Sequence, residues 1–100
     1  FMVLVSQAPR DPRFFAGLGK AQQALGLLDE ASLSLALANH LDPQNMGLRI
    51  ALAEVALALK HKVHAQMLLM QVKALTEHAP HQLAIHERAS ALLTLMSHEA

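Results

Sequence analysis

The sequence predicts an all-α fold of repeated helical hairpins that ends in a C-terminal capping helix. Three observations support this. The chain is 53% hydrophobic, dominated by Leu and Ala, and has only three Phe as aromatic residues. That composition favours helices, because strands are rich in β-branched and aromatic residues. Gly26, Pro43 and Pro80 mark breaks between predicted helical segments. A shift of 34 residues also superimposes similar segments.

A first helical hairpin is predicted at the start of the chain. Pro12 suits the first helical position, because the N–H that it lacks would have no partner there. Asp11 can cap this helix with its carboxylate. We expect the helix to cover residues 12–25 and to break at Gly26. The second helix must end before Pro43, because a proline cannot continue it.

The spacing within this hairpin is that of a tetratricopeptide repeat, a unit of about 34 residues. The small residues Gly19 and Ala31 are expected to let the two antiparallel helices approach closely. Larger apolar side chains should fill the seam between the helices. The positions that match the pattern are Leu18, Gly19, Ala31, Leu35, Ala38 and Pro43.

The repeat frame predicts one domain over residues 1–100. Residues 1–8 would be the last part of a preceding repeat, and the natural N-terminus is expected upstream because the chain begins at Phe1. The predicted parts are a repeat at 12–45, a repeat at 46–79 and a capping helix at 81–97.

The later helices differ in their apolar patterns. The helix from Met46 to Lys60 is apolar almost all round, so it should be covered on more than one side. Another Leu- and Met-rich helix is predicted over 62–77. The last helix has a single apolar stripe and a polar opposite face, as the end of a helical-repeat stack requires. That stripe is Ile85, Ala89, Leu92, Leu93 and Met96.

Composition and motifs argue against catalysis. Lys+Arg and Asp+Glu balance at 8 each, which predicts no nucleic-acid or anionic-membrane surface. The chain has no Cys, no phosphate-binding loop, no nucleophile elbow and no apolar run long enough for a membrane span. Asp29, Glu30 and Asp42 are more simply helix-end residues. We therefore expect no enzyme, no cofactor and no membrane insertion.

Histidine is the one feature that suggests a metal. His61 and His64 are three residues apart, as are His78 and His81. Both pairs lie at predicted helix ends, and no carboxylate or Cys completes a ligand set. Solvated polar positions are the favoured interpretation, and a His-based metal site is the alternative.

Met67 and Met70 form a soft apolar segment with the leucines between them. Core packing is the favoured interpretation. The alternative is an adaptable surface for a partner, because thioether side chains repack easily.

The repeat frame also predicts where a ligand would bind. The first helices of the repeats are expected to line the concave surface of the stack. The residues predicted to line this groove are apolar side chains with a few polar groups. Such a lining suits an extended peptide better than a charged carboxy-terminus. The groove residues predicted on these helices are Arg13, Ala16, Lys20, Gln23, Gly47, Ile50, Glu54 and Leu57.

The first helix resembles the central repeat of the type III secretion class II chaperones, which serve translocator proteins. The residues that carry the resemblance are Arg13-Phe14-Phe15, Gly17-Leu18-Gly19, Gln23-Ala24 and Gly26. Two segments depart from the family pattern: the aliphatic helix at 31–40, and His61-Lys62-Val63-His64 in place of an acidic-glycine turn.

The resemblance implies a non-enzymatic, cytoplasmic bacterial chaperone that keeps a hydrophobic translocator export-competent by holding an extended segment of it in the groove. It also implies a possible homodimer through the N-terminal region. The alternative is a generic helical-repeat scaffold that joins two folded proteins, for instance through Met67 and Met70. A charged groove with apolar convex helices would favour the scaffold, and an apolar groove that protects a peptide would favour the chaperone.

Overall fold

A computed structural model describes residues 11–98, which form five α-helices joined by short turns. Three of the helices (α1, α3 and α5) alternate with two others (α2 and α4), and no strand occurs among residues 11–98. The predicted all-α class is confirmed. The helices are α1 (Pro12–Ala24), α2 (Leu28–Leu41), α3 (Met46–Ala58), α4 (Lys62–Thr76) and α5 (Leu83–His98), and a 3₁₀ turn covers Pro80–Gln82.

The helix starts at α1 and α3 are capped by side chains at equivalent positions. The Asp11 carboxylate accepts a hydrogen bond from the Arg13 backbone N–H at 2.9 Å. The Asn45 side chain accepts one from the Gly47 N–H at 3.1 Å. Hydrogen bonds from Arg13, first from its side chain and then from its backbone, hold the pKa of Asp11 below its ordinary value of 3.8. Asp11 is therefore the helix cap that the sequence predicts.

Helices α1 and α2 pack at very close range. A Cβ atom added at Gly19 would lie 2.7 Å from Leu35 Cγ, closer than side chains can pack. Ala31 and Leu35 are completely buried in this seam. The Ser34 hydroxyl donates to Gln22 Oε1 at 2.7 Å and joins the two helices. The predicted role of the small residues is confirmed.

Helix α3 lies at the centre of the core between α2 and α4, and it also touches α5. Eight of its thirteen residues are buried, which confirms that it is covered on more than one side. All eight buried residues are apolar, so burying this helix removes no charged side chain from water. The buried set is Met46, Leu48, Ile50, Ala51, Leu52, Ala53, Val55 and Ala56.

Helix α5 covers the open side of the second hairpin through the predicted stripe. Ala89 and Met96 are buried, and Ile85 packs against the core beside them. The Thr76 hydroxyl donates to the Val72 carbonyl at 2.7 Å. The same hydroxyl oxygen lies 3.0 Å from His86 Nδ1, and this hydrogen bond ties α4 to α5.

The predicted helix remnant at 1–8 lies outside the described residues.

The prediction that Met67 and Met70 pack in the core is wrong, because each is 55% exposed. They lie opposite the buried stripe of α4, which contains Ala65 and Leu69. Among residues 11–98, no helix is both long and apolar enough to cross a membrane.

Candidate functional site

The candidate site is the face formed by α1, α3 and α5, called here the first-helix face. Arg88 Nη2 on α5 lies 2.5 Å from Glu54 Oε2 on α3, and the two residues are 34 positions apart in the chain. An ion pair between positions one repeat unit apart requires neighbouring helices in the same register. Helix α5 therefore occupies the place of a first helix in a third unit.

On α1, the four predicted groove residues differ in exposure. Lys20 is exposed, and Ala16 and Gln23 are partly exposed. The Arg13 side chain is 91% exposed but is directed to its own helix cap, where Nε lies 3.3 Å from Asp11 Oδ1. Arg13 therefore lies at the N-terminal end of this face and stabilises the start of α1 through its contact with Asp11.

On α3, three of the four predicted residues reach the surface. Gly47 is exposed, Leu57 is partly exposed, and Glu54 is engaged with Arg88. Ile50 differs from the prediction, since it is only 4% exposed and belongs to the core. Its side chain is enclosed because the central helix is packed from more than one side, so we leave Ile50 out of the proposed groove.

Helix α5 adds residues that the sequence analysis missed. Ala84, Arg88 and Ala91 lie one unit after Ile50, Glu54 and Leu57, and Leu95 continues the same stripe with 59% exposure. A signal for them exists in the sequence: Pro80 follows Met46 by 34 residues, as Met46 follows Pro12. That spacing marks the start of a third first helix.

The first-helix face offers binding groups but no catalytic arrangement. Its accessible groups are small apolar side chains, the partly exposed Gln23 and Leu57, and separated charges. A charge of alternating sign recurs at one position of each unit, through Lys20, Glu54 and Arg88. Such a surface can accept an extended chain by contact with its side chains, and it gives no cluster of basic residues for a free carboxylate.

Metal binding has no support in the arrangement of side chains. Within residues 11–98, no group of three or more His, Cys, Asp or Glu side chains is placed to hold a metal ion. His61, His64, His78 and His81 are exposed at helix ends, as expected for solvated positions. His86 is the exception, because it is partly buried against Thr76.

No family model matches the chain, and no curated protein matches it. Solved structures do match. The translocator chaperone SycD of Yersinia enterocolitica superimposes with a TM-score of 0.87 at 26% identity, over 98% of this chain and 68% of SycD. The predicted resemblance to the translocator chaperones is confirmed.

Two further translocator-chaperone structures contain a bound client. PcrH in complex with the chaperone-binding region of PopD matches with a TM-score of 0.86 at 28% identity, over 98% of this chain and 74% of PcrH. SycD in complex with a peptide of the translocator YopD matches with a TM-score of 0.85 at 26% identity, over 98% of this chain and 75% of that chain. A third SycD structure contains an alternative dimer.

Proposed function

We propose that this protein is a type III secretion chaperone that holds an extended segment of a hydrophobic translocator protein and keeps it export-competent. The observation that carries the proposal is the match, over 98% of the chain, to chaperones solved with translocator segments bound. We propose that it acts without catalysis and in the bacterial cytoplasm, and that it can form a homodimer.

The proposed binding surface is the first-helix face. Its accessible apolar part comprises Ala16 and Leu57, continued on α5 by Ala91 and Leu95. Extended peptides bind such surfaces by placing alternate side chains in shallow pockets while polar groups hold the backbone. Gln23 and Lys20 can donate to peptide carbonyl groups beside this strip. The proposed groove residues are Arg13, Ala16, Lys20, Gln23, Gly47, Glu54, Leu57, Ala84, Arg88, Ala91 and Leu95.

A client segment suits this surface because it would cover apolar groups on both partners. Translocators are hydrophobic, and an exposed apolar segment of such a protein is an aggregation hazard. A binding segment that is extended in the complex needs no folded structure of its own. The chaperone can therefore recognise the client before that client folds or inserts into a membrane.

The second candidate function is a scaffold that joins two folded proteins. The exposure of Met67 and Met70 on α4 favours it, because methionine side chains adapt to varied partners. The scaffold requires binding through α4, whereas the chaperone requires binding through α1, α3 and α5. Substitutions on the two faces therefore separate the candidates.

The test begins with co-expression of the chain and the parent secretion system, followed by capture and identification of bound proteins by mass. Overlapping peptides of the captured protein are then titrated against the chain. One hydrophobic translocator, and one short segment of it that binds alone, are the expected results. Capture of folded partners alone, or binding that needs an intact folded client, would contradict the chaperone proposal.

The site is tested with a matched pair of variants. Leu57→Glu places a charge on the first-helix face and should weaken binding of the peptide while leaving helicity intact. Leu25→Glu makes the same change at a residue that is 75% exposed beyond the end of α1, and should not alter binding. Equal affinities for the two variants would move the site away from Leu57.

A further inference from the structure

A groove with a volume of about 700 Å³ runs along one side of α4, between this helix and the C-terminal half of α5. Its apolar lining is Met70 and Ala74 on α4 with Leu93 and Met96 on α5. Leu93 and Leu95 are two residues apart, so they lie on nearly opposite sides of α5. The groove is therefore separate from the first-helix face, to which Leu95 belongs.

The length of this groove suits a helix. Its lining on α4 begins at Lys62 and ends at Glu77. The two positions are about 22 Å apart, because an α-helix rises by about 1.5 Å per residue. A helix of about four turns covers that length and can place one apolar stripe between α4 and α5.

The apolar middle of the groove favours a helix over an extended peptide. The backbone N–H and C=O groups of α4 and α5 are already paired within their own helices, so the walls of the groove offer no strand edge. An extended backbone laid over Met70, Leu93 and Met96 would lose water without gaining hydrogen-bond partners, which costs free energy. A helix pairs these groups internally and presents only side chains to the groove.

The charged side chains of the lining indicate which kind of helix fits. Lys62 and Lys73 lie on the same side of α4, about three turns apart, and both are exposed. Among residues 11–98, neither lysine ammonium lies within 4.0 Å of a carboxylate oxygen. Glu77 adds a negative charge at the far end of the groove. Two positive charges against one negative charge favour an acidic ligand over a basic one.

We propose that this groove binds an amphipathic α-helix of a partner protein whose apolar stripe is bordered by acidic residues. The stripe would cover Met70 and Leu93, and two carboxylates about three turns apart would reach Lys62 and Lys73. Methionine adapts to side chains of varied shape. Recognition therefore depends on the pattern of apolar and acidic positions in the partner helix.

The helix site does not depend on the proposed chaperone function. A helix in this groove leaves the first-helix face open, so both sites can be occupied together. Leu57→Glu should weaken binding of an extended client segment and leave binding of the helix unchanged. The site also differs from the scaffold candidate, which uses Met67 and Met70 alike, because Met67 lies outside the lining of the groove.

Three synthetic peptides of about 18 residues test the proposal. The first has leucine at every third or fourth position, glutamate on both sides of this stripe and alanine elsewhere, so that it forms an acidic amphipathic helix. The second has lysine in place of every glutamate. The third is the acidic peptide with proline at its centre, which breaks the helix.

Fluorescence anisotropy measures binding of each peptide to the unmodified chain. At low salt, the acidic peptide should bind about tenfold or more tightly than either of the others. High salt should reduce its advantage over the basic peptide, because salt screens the charges of exposed lysines.

A matched pair of methionine variants tests the position of the site. Met70→Gln and Met67→Gln make the same change at two residues of α4 that are each 55% exposed, but only Met70 lines the groove. Met70→Gln should weaken binding of the acidic peptide by about fivefold, because it removes apolar contact area. Met67→Gln should leave the affinity unchanged. Circular dichroism checks that both variants retain their helices.

A charge reversal tests the contact with acidic residues. Lys62→Glu combined with Lys73→Glu should invert the preference, so that the basic peptide binds more tightly than the acidic one. Lys20→Glu makes the same kind of change on the first-helix face and is the control, with no expected effect on the preference.

Four results would overturn the proposal. The acidic peptide could fail to bind the unmodified chain, or bind no better than the basic or the proline peptide. Met67→Gln and Met70→Gln could weaken binding equally. The double lysine variant could keep its preference for the acidic peptide. Binding could also weaken as the unmodified chain associates with itself in sedimentation equilibrium, which would assign the groove to a second copy.

Discussion

Gly26 and Lys60 lie one 34-residue unit apart, and both adopt the left-handed backbone conformation, with φ of 79° and 65°. The hydrogen bonds around them are equivalent. The Leu27 N–H donates to the Gln22 carbonyl at 2.8 Å, and the His61 N–H donates to the Ala56 carbonyl at 2.8 Å. Both turns end a first helix in the same way. Glycine suits the left-handed conformation at position 26, whereas position 60 has a lysine there.

We therefore expect Lys60→Gly to stabilise the fold. A non-glycine residue in the left-handed region costs roughly 1–2 kcal/mol, and part of this would be recovered despite the greater freedom of glycine in the unfolded chain. Gly26→Ala should destabilise the fold by about 1 kcal/mol for the converse reason. Urea unfolding measures both changes, and a destabilised Lys60→Gly variant would refute this account of the turn.

Two glycines in α1 give opposite predictions. Gly19→Ala should destabilise the chain by roughly 1–3 kcal/mol, because the added Cβ would lie 2.7 Å from Leu35 Cγ. Gly17 is exposed, and a Cβ there meets no atom within 4 Å. Gly17→Ala should therefore stabilise the helix by about 0.5–1 kcal/mol.

Thermal unfolding of the two glycine variants provides the comparison. Since both substitutions add one methyl group to the same helix, the difference between them reports the packing against α2. Adding Leu35→Val to Gly19→Ala should cost less than the sum of the two single changes, because both alter one contact. Strict additivity would show that the Cβ at position 19 is accommodated without displacing Leu35.

The sequence predicted the helix ends well because local chemistry determines them. Asp11, Pro12 and Gly26 act within one or two turns, through a cap, a missing N–H and a left-handed residue. The orientation of side chains around each helix was harder to predict. In a Leu- and Ala-rich chain the apolar pattern defines the buried side weakly. Ile50 was therefore predicted in the groove although it is buried, and Met67 in the core although it is exposed.

The third unit was missed for a related physical reason. Gly19 and Ala53 are buried at the same position of the first two units, and the corresponding residue of α5 is the exposed Glu87. A long charged side chain there cannot support a close second helix. The polar side of this helix therefore indicated a cap. The same helix also extends the first-helix face, which the cap prediction did not include.

The start of the third unit lacks the cap that the other two have. Asp11 and Asn45 accept a hydrogen bond from the residue two positions on, whereas Ala79, the equivalent residue, makes no side-chain cap. Ala79→Asp should stabilise the chain by about 0.5–2 kcal/mol in urea unfolding. Ala79→Asn separates the hydrogen bond from the charge, and Ala79→Val should give no stabilisation.

Asp11 gives a pH-dependent prediction. Its pKa is lowered in the folded chain by hydrogen bonds from Arg13, so the folded state holds the proton less tightly than the unfolded state. The resulting stabilisation is complete above pH 3.8 and is lost as the pH falls through the lowered pKa. Asp11→Asn keeps the acceptor and removes this titration.

Melting temperatures of the two proteins at about pH 7 and about pH 3 test this. The unmodified chain should be more stable than Asp11→Asn at the higher pH, and the difference should shrink at the lower pH. The effect should be small because Asp11 is exposed to solvent. If the difference in melting temperature grew at the lower pH, the pH dependence would have the opposite sign, and the Asp11 cap would be excluded as its cause.

The Glu54–Arg88 ion pair should hold α5 in register with α3. The Glu54 and Arg88 side chains are 31% and 60% exposed, so screening limits their coupling energy to about 0.2–1 kcal/mol. A double-mutant cycle with Glu54→Gln and Arg88→Gln measures this energy, and it should decrease at high salt. The exchanged pair Glu54→Arg with Arg88→Glu should recover part of it.

Hydrogen exchange shows where the coupling acts. Loss of either charge should increase exchange mainly in α5, which covers only one side of the second hairpin, and should change α1 little. Lys20→Gln removes the charge one unit before Glu54 and serves as the matched control, with no expected effect on α5. Equal exchange in all helices of the Arg88→Gln variant would mean that the pair stabilises the whole chain and does not set the position of α5.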